Sequence, residues 1–182
     1  MLETERLRLR TPRLDDMENV LELVSDPVAM TFIDEPTSDP ARVREALERW
    51  LERWEVDGLG PFFVERREDG AFLGRTGFLV WDRRSWQKST FAVSGDHGQL
   101  ELGWLLLRPH WGRGYATEAA RAARDWASAR GADSLISLIH PDNVRSIRVA
   151  EKLGALPAET LVVEGEPAVV WRHQLYGHRP AR

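Results

Sequence analysis

The chain has 182 residues, 42% apolar and 30% charged, a composition that is typical of a globular domain and excludes a disordered or collagen-like chain. Its 25 lysines and arginines against 29 aspartates and glutamates give a net charge of −4, which argues against binding nucleic acid or an anionic membrane through overall charge. Cysteine is absent, which excludes disulfides, cysteine-ligated metals and a cysteine acyl-enzyme. We expect a single cytoplasmic domain over residues 1–182, without a membrane-spanning segment.

The first half of the chain predicts a strand, two helices and a hairpin. Leu7 and Leu9 alternate with arginines, which indicates a strand with one buried face. Apolar spacing predicts a helix over 15–25, and a second helix begins at Pro40 behind the capping residue Asp39. The segments PFFVER and AFLGRTGFLVW flank a turn at 68–70 and predict a hairpin.

The second half predicts a strand–helix–strand unit followed by a helix and two strands. Residues 82–99 are polar and predict an exposed loop, whereas 100–106 alternate as a strand. A long alanine-rich helix over 114–130 leads into the short buried strand SLISLI. A helix over 144–153 and the strands LVVE and AVVWRHQL complete a mixed α/β pattern.

A glycine-opened helix start, in the segment LRPHWGRGYATEA, is the first candidate binding site. Gly112 and Gly114 leave backbone amides exposed where the helix begins, and such amides accept phosphate oxygens. A simple tight turn explains the same two glycines. The P-loop pattern is absent, and the dinucleotide fingerprint is half met because Thr117 stands in place of its third glycine, so a nucleotide-binding oxidoreductase is a weaker alternative.

The segment WGRGYATEA follows ELGWLLLRP and precedes NVRSIRVAEKLGA, and in this order the three resemble the GCN5-related N-acetyltransferase (GNAT) superfamily. The RimJ/RimL-like branch, which acetylates ribosomal-protein serine and alanine N-termini, is the most similar. Trp111 departs from the glutamine or arginine of the superfamily pattern. The resemblance implies a central, mostly antiparallel sheet of six to seven strands, with one splayed parallel strand pair and about four helices.

The same resemblance implies acetyl-CoA as the acyl donor. The pantetheine arm is expected beside the backbone of the last residues of the predicted 100–106 strand and those that follow it. The amides of the glycine-opened loop are expected to hold the pyrophosphate. The residues of these two groups are Leu106, Leu107 and Arg108, and Arg113, Gly114, Tyr115, Ala116 and Thr117.

Direct acetyl transfer to an amine needs a proton acceptor and a group that stabilises the departing thiolate, but no protein nucleophile. Glu101 matches a family position for the base, and a solvent-facing strand residue is the alternative, since Leu100 and Leu102 define the other face. Ser146 is the candidate partner of the thiolate and Asn143 the candidate contact of the pantetheine arm. The structural alternative for both is capping of the helix that follows.

The acceptor is expected to be a primary amine, either a protein N-terminus or a small molecule. Relatives place it among residues that correspond to Phe32, Ile33, Trp50 and Trp54, with Trp81 or Trp86 as further candidates. The helical spacing of Trp50 and Trp54 also indicates packing. The segment Trp81–Trp86 carries Arg83 and Arg84 and is expected to be exposed and to set specificity.

Three further expectations concern an alternative function, the oligomeric state and metal binding. A catalytically silent CoA-binding sensor or scaffold of the same fold is the alternative function. Some relatives dimerise, so a homodimer is among the expected states. The five histidines show no metal-binding spacing, so no metal site is expected.

Overall fold

The computed structural model describes residues 1–175. In this part of the chain there are nine strands and six α-helices. The strands are β1 (Leu2–Glu3), β2 (Leu7–Arg10), β3 (Pro61–Arg66), β4 (Phe72–Asp82), β5 (Gln87–Ser89), β6 (Gly98–Leu106), β7 (Ile136–Ile139), β8 (Leu156–Val163) and β9 (Glu166–Arg172). The helices are α1 (Met17–Ser25), α2 (Pro27–Met30), α3 (Pro40–Val56), α4 (Phe91–Ser94), α5 (Tyr115–Ala129) and α6 (Val144–Lys152).

All nine strands form one sheet, in the order β1-β2-β3-β4-β6-β7-β9-β8, with β5 added to β4. The β6–β7 pair is parallel, and every other described pair is antiparallel. One register pair, Glu101 with Ile136, joins β6 to β7, so the two strands diverge towards their C-terminal ends. The predicted mixed sheet with one splayed parallel pair is confirmed.

Helices cover both faces of the sheet and create its two largest cores. Helix α5 packs through its alanines, Ala119, Ala120, Ala123 and Ala127, which are at most 3% exposed and let the helix lie close to the strands. On the opposite face α1 and α3 bury Val20, Leu23 and Leu47 against Phe63 and Leu105. The cores therefore follow the apolar stripes of the predicted helices. No helix in residues 1–175 is long and apolar enough to cross a membrane.

The strand and helix counts exceed the prediction because several elements are very short. Residues 82–99, predicted as an exposed loop, return along β4 as the three-residue strand β5 and then form α4. The final hairpin also begins earlier than the pattern LVVE indicates, since β8 includes Pro157. Proline is tolerated there because β8 is an edge strand, where an amide donor is not needed.

A buried histidine, His173, lies beside Ser137 of strand β7. The Ser137 hydroxyl donates to the Leu102 carbonyl oxygen at 2.6 Å and lies 2.9 Å from His173 Nε2. Because the hydroxyl has a single proton, the ring nitrogen Nε2 is the donor to Ser137. Burial lowers the pKa of His173 to about 4, from an ordinary value of 6.5.

We expect the free energy of unfolding to fall by about 2 kcal/mol between pH 6.5 and pH 5, because the unfolded chain binds a proton that folded His173 excludes. This stabilisation is fully present above pH 6.5 and is lost as the pH falls towards 4. Urea unfolding at pH 7, 6 and 5 measures it. The variant His173→Gln should flatten the slope and His97→Gln, at an exposed position, should not. An unchanged slope in His173→Gln contradicts the assignment.

Candidate functional site

The glycine-opened loop forms the start of α5. Gly112 and Gly114 have φ angles of +74° and +82°, a backbone conformation that favours glycine. Gly114 is the N-cap residue, and the first hydrogen bond of the helix runs from the Glu118 amide to its carbonyl oxygen at 3.0 Å. The amides of Tyr115, Ala116 and Thr117 precede that bond and are therefore open at the positive end of the helix. This backbone fits a phosphate group.

An arginine from the N-terminal segment fixes the loop in place. Arg6 donates from Nη1 to the Arg113 carbonyl oxygen at 3.1 Å and pairs with Glu118 at 2.6 Å. Glu118 also accepts from the Thr4 hydroxyl at 2.6 Å, and these contacts lower the pKa of its carboxyl. The guanidinium of Arg6 lies 4.7 Å from the centre of the Tyr115 ring. Residues far apart in sequence thus hold the exposed amides rigidly.

The divergence of β6 and β7 opens a gap beside the loop. The Leu107 amide donates to the Leu73 carbonyl oxygen at 2.9 Å, and the Leu107 carbonyl oxygen accepts from the His110 amide. Both backbone groups of Leu107 are therefore used within the chain. Neighbouring residues of a strand direct their backbone groups to opposite edges, so the amides of Trp104 and Leu106 face the gap. Of the three residues predicted to contact pantetheine, Leu106 is the best placed, through its amide, since its carbonyl oxygen accepts from the Trp111 indole nitrogen at 2.7 Å.

Glu101 lies where β6 and β7 begin to diverge. Its Oε2 accepts from the Trp81 indole nitrogen at 2.5 Å, and its Oε1 accepts from the Leu138 amide at 3.3 Å. The residue is 9% exposed, and burial raises the pKa of its carboxyl. The alternative of a solvent-facing residue is wrong: Glu101 does lie opposite Leu100 and Leu102, but other parts of the chain cover that face.

The covered face encloses a cavity of about 1120 Å³, between α3, the segment after α2, and strands β4 and β6. This volume is of the size that small-molecule sites have. Glu101 is at its floor. Side chains that line it include Phe32, Trp50, Arg75, Trp81 and His140.

Asn143 and Ser146 form the cap of α6. The Asn143 side chain accepts from the Ser146 amide at 3.2 Å, as the structural alternative predicts. The two residues do not line the cavity that holds Glu101. The Ser146 hydroxyl is half-buried and lies in the first turn of α6, which follows β7 at the open end of the gap.

The tryptophans divide between packing and cavity wall. Trp54 packs against Phe62 and Trp126 and donates to the Pro61 carbonyl oxygen at 2.9 Å, whereas Trp50 lines the cavity. The prediction that Trp81 is exposed is wrong, because it lies in β4 and is 4% exposed. The neighbouring arginines Arg83 and Arg84 are exposed.

Two further cavity residues, Arg75 and His140, did not enter the predicted site. Arg75 is the one basic residue of the mostly apolar strand β4, which is the one local signal that its side chain has a separate task. The His140 ring stacks on Phe32 at 5.0 Å and accepts the Asp142 amide at Nδ1, so its ring proton lies on Nε2. No spacing in the sequence connects either residue with Glu101.

This chain is similar to known proteins in both sequence and structure. The acetyltransferase (GNAT) domain family matches residues 6–156. The uncharacterized protein YkkB of Bacillus subtilis strain 168 is 33% identical over 178 residues, which are 96% of each chain. The crystal structure of an acetyltransferase from Agrobacterium tumefaciens strain C58 is 30% identical, covers 95% of this chain and 93% of its own, and superposes with a TM-score of 0.77.

A second structure shows the same fold at lower identity. The RimL acetyltransferase of a ribosomal protein, in complex with coenzyme A, is 14% identical, with 94% of this chain and 96% of that chain covered and a TM-score of 0.75. The family match spans most of the chain, including the glycine-opened loop and the diverging strands. The chain therefore belongs to the GNAT family of acetyltransferases, whose acyl donor is acetyl-CoA.

Proposed function

We propose that the protein transfers an acetyl group directly from acetyl-CoA to a primary amine that enters the cavity beside Glu101. The acceptor is a protein N-terminus or a small molecule. The observation that carries the proposal is the position of Glu101: a buried carboxylate lies at the floor of the cavity and at the point where the two parallel strands diverge. The donor and the acceptor can therefore meet at one carboxylate.

Glu101 is the proposed base. An amine attacks a thioester only in its neutral form, and an ammonium ion that binds in the cavity must first lose a proton. Burial raises the pKa of Glu101, which brings its basicity closer to that of the proton donor. Trp81 and Leu138 hold the two oxygens in place, and each oxygen keeps a lone pair for the amine or for a bridging water.

The loop and α6 supply the proposed contacts of the donor. The pyrophosphate binds at the amides of residues 113–117, and the pantetheine arm lies along Leu106 within reach of the Asn143 side chain. Ser146 donates a hydrogen bond to the departing thiolate, since its hydroxyl is too weak an acid to transfer a proton outright. Acetyl-CoA supplies an activated acyl group, and the chain orients it.

Hydrogen bonds of Glu101 and Asn143 within the chain favour one alternative, a catalytically silent CoA-binding sensor or scaffold. Glu101 has both oxygens bonded within the chain, and the Asn143 side chain caps α6. If these contacts are their whole task, the protein binds acetyl-CoA without turnover.

Release of free thiol from acetyl-CoA distinguishes the two functions. The assay screens peptide N-termini and small amines, and calorimetry on the same preparation measures acetyl-CoA affinity. Amine-dependent thiol release is the expected result. Saturable acetyl-CoA binding without release for any amine contradicts the transferase proposal and supports the scaffold.

Gly103 provides a test of the cavity itself. Its φ lies outside the left-handed region, and an added Cβ meets no atom within 4 Å, so the backbone does not require glycine there. Gly103 lies opposite Gly77 in the floor of the cavity. We expect Gly103→Leu to fold normally and to raise the KM for the acceptor about 10-fold or more by filling the space the amine needs. Acetyl-CoA affinity should change less than about threefold. An unchanged acceptor KM contradicts a role for this cavity.

A further inference from the structure

The cavity floor carries two opposite charges separated by bare backbone. On paired strands β4 and β6, Arg75 lies opposite Leu105, and Glu101 lies opposite Leu79. Since residues two apart share a face, both charged side chains stand on the cavity side of the sheet. The Gly77–Gly103 pair lies between them, and no side chain occupies that part of the floor.

The separation of the two charges is set by the strand. Arg75 and Leu79 are four residues apart, which is about 13 Å at roughly 3.3 Å per residue. The two charged groups form no ion pair with each other, although each acts on the pKa of the other. A molecule of several carbon atoms fits between them.

The Arg75 guanidinium forms no ion pair within the part of the chain that the structure describes, and the opposite charge of Glu101 acts on it only from across the Gly77–Gly103 pair. It lies 5.0 Å from the centre of the Trp50 ring, and its Nε is shielded from solvent without a hydrogen-bond partner. Burial lowers the pKa of Arg75 to about 10. A guanidinium in this environment is costly unless an anion pairs with it. The free energy therefore favours an anionic ligand at this point.

A second guanidinium strengthens the same region. Arg53 lines the cavity, and its Nη1 donates a long hydrogen bond of 3.5 Å to the Ser89 carbonyl oxygen. Burial lowers the pKa of Arg53, and the like charge of Arg53 contributes to the lowered pKa of Arg75. The carboxylates of the cavity other than Glu101 are exposed at its rim: Asp34, Glu35, Glu45, Glu164 and Glu166. The inner half of the cavity is thus cationic except at Glu101.

We propose that the acceptor is a small primary amine that carries a carboxylate, with its nitrogen at Glu101 and its carboxylate on Arg75. This inference rests on the proposed acetyl transfer. A guanidinium stacked on an indole keeps the N–H groups along its edge free, and that edge matches the two oxygens of a carboxylate. Arg75 is then the residue that selects the acceptor, and Trp50 is the residue that holds Arg75 in position.

The test compares ω-amino acids from β-alanine to 6-aminohexanoate with the matching ω-amino amides, which lack the negative charge. Thiol release from acetyl-CoA by the unmodified protein is the readout. We expect kcat/KM for the longer amino acids to exceed that of their amides about 10- to 100-fold, because a charge-assisted bidentate contact is lost in the amide. Amides that react as well as the acids overturn the proposal.

Variants locate the effect. Arg75→Gln should raise the KM for 6-aminohexanoate about 10- to 100-fold and leave the KM for its amide unchanged within about threefold. Arg49→Gln is the matched control, since Arg49 lines the same cavity but is exposed on α3. An equal loss for acid and amide in Arg75→Gln overturns the proposal. Comparison of the acid with the amide in the unmodified protein stays decisive if Arg75→Gln does not fold.

Calorimetry separates failure of this inference from failure of the proposed function. Binding of 6-aminohexanoate, but not of its amide, supports the carboxylate site even if no thiol is released, and in that case the transfer reaction alone is contradicted. Thiol release with amides as the better acceptors supports the transfer reaction and overturns the carboxylate site.

Discussion

Replacement of Glu101 by glutamine is expected to lower kcat by about 100- to 1000-fold, with acetyl-CoA affinity unchanged within about threefold. Glutamine has nearly the same shape but cannot take a proton from the amine. Its single oxygen can still accept from the Trp81 indole, which is the shorter of the two contacts of Glu101, so the strands should stay in place. Steady-state kinetics and calorimetry on the same preparation measure the two effects.

The pH profile shows whether Glu101 acts as a base or only stabilises the structure. If Glu101 takes the proton, kcat/KM rises with pH through the raised pKa of its carboxyl, and this limb disappears in Glu101→Gln. Glu45→Gln is the control, because Glu45 lines the same cavity as an exposed carboxylate. If Glu101→Gln melts at a lower temperature but keeps its turnover, Glu101 has a structural role only, and the proposed mechanism is contradicted.

The parts of this molecule that the sequence predicts are those that depend on local pattern. The helix α5 and its glycine-opened start can be recognised because Gly112, Gly114 and the alanines that follow determine the backbone within one stretch of the chain. The cap formed by Asn143 is equally local. The strand alternation around Glu101 also assigned that side chain to the correct face.

The cavity depends instead on pairings between distant residues. Whether the second face of β6 is wet or covered is decided by α1, α3 and Trp81, which are far from Glu101 in sequence. The register of β4 against β6 places Arg75 and the Gly77–Gly103 pair beside that carboxylate, and nothing in either strand alone specifies this register. The acceptor side of the site therefore becomes visible only in three dimensions.

Short elements are not predicted from the sequence for a related reason. β5 has three residues, and its place in the sheet comes from pairing with the end of β4 at Trp81 and Asp82 rather than from its own polar sequence. A strand this short has no periodicity to detect. The segment Trp81–Trp86, which its polar sequence predicts to be an exposed loop, is consequently attached to the sheet, and its buried Trp81 both lines the cavity and donates to Glu101.

Replacement of Gly114 by tryptophan is expected to reduce acetyl-CoA affinity about 100-fold or more. Gly114 is exposed, and an added Cβ lies 3.4 Å from Arg6 Nη2, so the protein interior does not clash with a side chain there. The indole instead covers the amides of Tyr115, Ala116 and Thr117, and loss of two or more charge-assisted hydrogen bonds accounts for the size of the effect. Calorimetric titration with acetyl-CoA measures it, with NADH as the comparison ligand that neither protein should bind.

Backbone strain is the competing explanation, because Gly114 has a φ of +82° and any other residue is disfavoured there by about 1 kcal/mol. Gly131 provides a matched control at the opposite end of α5: its φ is +83°, and an added Cβ meets no atom within 4 Å. Gly131→Trp should therefore lower the melting temperature about as much as Gly114→Trp and leave acetyl-CoA affinity within about threefold. An equal loss of affinity in both variants assigns the effect to strain in the helix and contradicts the phosphate cradle, whereas a loss confined to Gly114→Trp places the pyrophosphate at the start of α5.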